Sequence, residues 1–160
     1  MKSRTRARSI ALQVLYEIDM ANHPPADVLR ERLEDSPVSE DLADFARQIV
    51  FGVLPLTHEL DQIIAKYAPE WPLDQIAAID RNILRVSCWE FAVRRETPVK
   101  VAINEAVELA KMYGSDSAPR FVNGVLGSLA EHQYEIVQQL KNASLAIAAS
   151  AKSADIPPKG

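Results

Sequence analysis

Apolar residues recur at intervals of three and four along most of this chain, a period that fits helices and does not fit strands. Ala7, Ile10, Ala11, Val14, Leu15 and Ile18 predict one amphipathic helix over about residues 3–21. Pro24-Pro25 closes it, and a short helix is expected from Asp27 to Glu34. Ser39 suits an N-cap, with Leu42, Phe45, Ala46, Ile49, Val50 and Val53 as the buried stripe that follows. Pro55 should kink that helix, because a mid-helix proline removes a hydrogen bond and crowds the previous turn. The stripe resumes through Leu56, Leu60, Ile63, Ile64 and Tyr67.

Pro69 and Pro72 bracket Trp71 and mark the expected boundary between two halves, about residues 1–68 and 69–140. Ile76, Ile79, Ile83, Leu84, Ser87, Cys88 and Phe91 continue the pattern, as one helix or two short ones between Leu73 and Arg94. Thr97-Pro98 predicts a capped start for the next helix, whose face is Ala102, Ile103, Ala106, Leu109, Ala110 and Tyr113. Gly114 suits a left-handed C-terminal cap. Residues 115–119 then turn into a final helix carrying Val122, Val125, Leu126, Leu129, Ile136 and Leu140. Gly124 and Gly127 weaken that helix, which suggests that another backbone approaches there. Residues 141–160 hold too little apolar pattern and are expected to form a flexible tail. With only five glycines for turns, an all-β fold is disfavoured and the expected class is all-α.

One cysteine, Cys88, allows no intramolecular disulfide. The basic start resembles a signal peptide, but Gln13 and Glu17 interrupt its apolar stretch. No apolar run is long enough for a membrane helix, so a cytoplasmic protein is expected, without membrane association. The net charge of −4 hides an asymmetry: residues 1–16 carry Lys2, Arg4, Arg6 and Arg8 and no acid. Positive charge at a helix start opposes the helix dipole, so its placement favours a binding role. Charge alone nevertheless fits a solvated helix start.

Catalytic chemistry finds no residues to stand on. His23, His58, His132 and Cys88 are scattered, with no metal-ligand spacing, and no glycine-rich phosphate loop is present. Glu105 and Glu108 share a helix without a partner acid or base. Neither an enzyme, a metal site nor a cofactor is expected. A tight turn between two helices instead presents Lys111, Asp116, Ser117, Arg120 and Phe121. A cation beside an aromatic there can pair with phosphate and stack a base, although Phe121 fits a core position equally well.

The segment Val101-Ala-Ile-Asn-Glu-Ala-Val-Glu-Leu-Ala-Lys-Met-Tyr-Gly114, followed by Arg120-Phe-Val-Asn-Gly-Val-Leu126, resembles the signature of the NusB family of bacterial transcription antitermination factors. Asp80-Arg-Asn-Ile-Leu-Arg85 with Trp89-Glu90, and Ala11-Leu-Gln-Val-Leu-Tyr16 after the arginines, are similar to two further motifs of that family. The resemblance covers about residues 4–140. It implies about seven helices in two packed bundles. It also implies binding to the single-stranded boxA element of ribosomal RNA leaders, together with NusE, a small-subunit ribosomal protein. The complex helps RNA polymerase resist termination. By this resemblance the arginine-rich start (Lys2, Arg4, Arg6, Arg8) and the turn (Lys111, Asp116, Ser117, Arg120, Phe121) face RNA, while Tyr16 and Asp80 face NusE. Some members pair with themselves, so a homodimer is an open expectation for the free protein. The alternative function is a helical protein–protein module without specific RNA recognition. The same helical domain also occurs fused to ribosomal RNA cytosine methyltransferases, a reading expected to be the least favoured for these 160 residues.

Overall fold

The first helix, α1, runs from Ser3 to Ala21 and ends where Asn22 adopts a left-handed conformation at φ 55°. In the computed structural model residues 2–154 are described, with side chains through residue 152. Next come α2 (Pro25–Asp35), with proline in its first turn, and α3 (Glu40–Val53). The Ser39 hydroxyl caps α3 as expected, accepting from the Leu42 N–H at 3.5 Å. Pro55 breaks the helical run into a 3-10 turn over Leu54–Leu56, after which α4 (Thr57–Tyr67) continues it. A second 3-10 turn (Leu73–Gln75) leads into α5 (Ala78–Trp89), which ends in a single π turn, Glu90–Arg94. The last three helices are α6 (Val99–Tyr113), α7 (Ala118–Ala130) and α8 (Gln133–Ala154). No strand occurs among the described residues.

The helices form two packed bundles with α5 between them. On one side α1 lies against α2 and α3; on the other α6 and α7 pack together, and α4 touches both α7 and α8. The α5 helix contacts α1, α3, α4, α6 and α7, so its buried Ile83, Leu84 and Cys88 join one continuous core. Burial leaves the Cys88 side chain without solvent contact and pushes its thiol up to about 12. No helix among the described residues is long and apolar enough to cross a membrane.

Several local expectations change. Thr97 does not cap α6: Pro98 is the capping residue, and the Thr97 hydroxyl donates to Glu90 at 2.8 Å. Gly114 is extended (φ −90°, ψ 179°) rather than left-handed. It must be glycine for space, since a Cβ would lie 2.5 Å from the Ala118 Cβ and 3.0 Å from Asp80 Oδ1. No backbone crowds Gly124 or Gly127; a Cβ would meet only the Trp71 ring at 3.8 Å, or nothing within 4 Å. The close approach is at Gly52, 2.5 Å from the Trp89 indole by the same measure.

The final helix is two helices. Glu131 and His132 separate α7 from α8, and the His132 ring stacks on Tyr67 of α4 with centroids 4.5 Å apart. Helix α8 also runs on to Ala154, where regular structure was expected to stop at residue 140. Among the described side chains Leu140 is its last buried one, and the helix beyond it rests on the strong helix propensity of alanine, leucine and lysine. The end of the expected tail, residues 155–160, lies outside the described residues.

Candidate nucleic-acid interface

The basic start of α1 divides into exposed and buried members. Lys2, Arg4 and Arg6 are exposed, and none forms an ion pair among the described residues. The Arg4 guanidinium lies over the Phe45 ring of α3, 4.7 Å from its centroid, so it is held in place by a cation–π contact. Arg8 points inward and is 4% exposed. Its Nε donates to both Glu90 carboxylate oxygens at 3.0 and 3.2 Å, and its Nη1 lies 3.3 Å from Glu105. Glu90, on the π turn, is 1% exposed and also accepts from Thr97. Thr5 donates to Glu105 at 2.8 Å. A buried ion pair survives when further hydrogen bonds satisfy its remaining lone pairs, as Thr97 does here. Arg8 is therefore part of the interior and is not presented to a ligand in this arrangement.

Thr5 and Glu105 join the start of α1 to α6 and leave a groove of about 800 Å³ between them. Lys2 lines one wall; Asn104, Glu108, Lys111 and Met112 line the other. Two of the expected RNA-facing cations, Lys2 and Lys111, thus meet in one groove. Lys111 pairs with Glu108 at 3.1 Å, but both side chains are more than half exposed, so solvent screens the pair and leaves the lysine free to exchange partners.

Lys111 lies in the last turn of α6, which Gly114 ends, so the groove leads to the α6–α7 turn. Asp116 and Ser117 are exposed there, and Ser117 shares a 3.3 Å hydrogen bond with Ser115. Arg120 is exposed on the first turn of α7, with no ion pair among the described residues. Phe121 is half-buried: one side packs on the core, and its ring meets Trp71 edge-on, 5.7 Å away at 75°. Between them opens a cleft of about 300 Å³, lined also by Pro72, Gln75, Ile76 and Asp80.

Asp80 therefore shares a cleft with Phe121. It is 7% exposed, and its Oδ1 is buried without a hydrogen-bond partner, so desolvation raises its carboxyl above the ordinary range. Tyr16, the other expected partner residue, is 38% exposed on α1. Three features were missed in the sequence: the Trp71 wall opposite Phe121, the buried Arg8–Glu90–Glu105 cluster, and the Tyr113 hydroxyl, which bonds Ser9 and Gln13. For Trp71, an aromatic fixed between two prolines was the available signal. No group of three or more potential metal ligands occurs among the described residues.

Comparison with known proteins identifies the family. The model of the NusB family matches residues 5–131. A transcription antitermination protein NusB from Roseiflexus castenholzii is 46% identical over 134 residues, 82% of this chain and 94% of the relative. A protein of the same name from Chloroflexus aggregans is 46% identical over 128 residues, 79% of this chain and 85% of the relative. Among solved structures, a crystal structure of antitermination factors NusB and NusE in complex with dsRNA superposes with a TM-score of 0.75. Its sequence identity is 28%, covering 82% of this chain and 98% of that one.

Proposed function

The chain belongs to the NusB family, and from that premise we propose that it is an RNA-binding antitermination factor without catalytic chemistry. It binds boxA of ribosomal RNA leader transcripts together with NusE and helps RNA polymerase resist termination. The observation that carries this reading is the groove with Lys2 and Lys111 on its two walls, leading to Arg120 and the half-buried Phe121. An otherwise acidic molecule of net charge −4 repels polyanions except where such a basic track is exposed. Lys2, Arg4, Arg6 and Arg120 hold phosphates, Lys111 joins them by leaving Glu108, and the Asp116-Ser117 turn lies beside the track. The open face of Phe121, buttressed by Trp71, stacks an unpaired base. A solved relative is a complex of NusB with NusE and dsRNA, which supports the choice of partners. For this chain the NusE surface includes Tyr16, and Asp80 contributes through the rim of its cleft.

The test is a titration of labelled boxA RNA, single-stranded and in duplex, with and without NusE, across a range of salt. Tighter binding to the single strand, strengthened by NusE, is expected. Replacing Lys2, Arg4 and Arg6 together with alanine should flatten the log–log salt dependence by roughly 0.7 for each phosphate no longer held. Phe121→Ala should cost on the order of 1–3 kcal/mol in binding. If boxA RNA binds no better than a scrambled oligonucleotide, with or without NusE, the proposal fails.

A further inference from the structure

Arg8 is the one cation of the basic start that is buried and turned away from solvent. Its guanidinium bridges three elements: α1, which carries it; the π turn, through Glu90; and α6, through Glu105 at 3.3 Å. Glu105 is a wall residue of the groove that holds Lys2 and Lys111, and it is 16% exposed. Left alone it would place a bare carboxylate where an anion must sit. Arg8, already matched by Glu90, offsets part of its charge from behind while Thr5 orients it. The planar fork matters here, because Arg8 must serve two carboxylates in fixed directions at once, which a lysine ammonium does not do in the same geometry.

We infer that Arg8 is a positioning residue for RNA: it sets the first turns of α1 against α6 and holds Glu105 in place at the back of the groove, so that Lys2 and Lys111 face the same phosphate track. This rests on the RNA-binding reading above and assigns Arg8 a role distinct from direct phosphate contact. The two roles make opposite statements about charge. A direct contact is preserved when the charge is preserved; a positioning role disappears with the fork.

Arg8→Lys separates them. Binding of labelled boxA RNA should weaken, and its salt slope should fall by about as much as when Lys2 and Lys111 are both replaced by alanine, roughly 1.4 for two phosphates. In the Arg8→Lys background, Lys2→Ala should then change affinity by less than twofold, because Lys2 no longer reaches its phosphate. A slope equal to that of the unaltered protein, or a Lys2→Ala effect of undiminished size, overturns the inference. Hydrogen exchange without RNA gives a second, independent readout. Amides of Arg6 to Ile10 should exchange faster in Arg8→Lys while those of Leu12 to Ile18 keep their protection; unchanged exchange at Arg6 to Ile10 also overturns it. Glu105→Gln, which leaves the buried Glu90 pair intact, should reproduce the faster exchange in milder form, so the test stands even if Arg8→Lys folds poorly. If the unaltered protein shows no RNA binding while the exchange pattern holds, the functional reading falls and the clamp remains.

Discussion

Two aspartates, Asp19 set against α5 and Asp80 on it, show how neighbours decide what a carboxylate contributes. Burial alone would raise Asp19, but hydrogen bonds from Arg81 at 2.8 Å and Asn82 at 3.1 Å, with the charges of Arg81 and Arg85, hold it below its ordinary value of 3.8. Asp80 has burial and no such compensation, and it is raised. Linkage gives the two opposite signs. Asp19 contributes stability above 3.8 that is lost as pH falls through its depressed folded value. Asp80 favours the fold when protonated, and that contribution disappears as pH rises through its raised folded value. Thermal melts should therefore show Asp19→Asn destabilising at neutral pH and Asp80→Asn mildly stabilising, with both effects shrinking in acid; effects of the same sign would contradict these assignments. Arg8 gives the lesson for sequence reading at this scale. It was expected to face RNA with the rest of the basic start, but it stands four before Leu12 and seven before Leu15, both buried. That spacing was the available sign that its side chain turns inward. The glutamates that receive it lie 82 and 97 positions away and cannot be found from α1 alone.

Elements were legible wherever the cause was local. Helix α1 was anticipated almost to the residue, as were the Ser39 cap and the Pro55 break, because each depends on neighbours in sequence. The joint between α7 and α8 has no proline or glycine of its own; it coincides with the stacking of His132 on Tyr67, a contact between distant segments. The continuation of α8 was missed because apolar pattern was weighed and intrinsic propensity was not. Glycines show the same division. Gly52→Ala forces a methyl into the Trp89 ring and should cost about 1–3 kcal/mol. Gly127→Ala fills open space inside a regular helix and should stabilise by about 0.4–1 kcal/mol. Urea denaturation of the two variants measures both, and shifts of equal sign would show that local space does not decide the outcome.

At the level of the whole molecule, the helical class followed from periodicity, and the two-bundle arrangement followed from the family motifs. What the motifs did not contain is how the bundles share α5 and one core, so that the start of α1 and the end of α6 come to line one groove. That groove depends on pairings between distant residues, such as Thr5 with Glu105, 100 positions apart. Because the core is continuous, the bundles should lose structure together, and Cys88 makes this directly observable. The lone thiol sits where the bundles meet, has no solvent contact and resists ionisation. A thiol-reactive dye should therefore label the native protein only as fast as the whole core opens. Its rate, divided by that in denaturant, should equal the unfolding constant extrapolated from urea; markedly faster labelling would mean that the bundles part before they melt. The chain thus carries its own clock for opening, started by one sulfur atom and requiring no engineered probe.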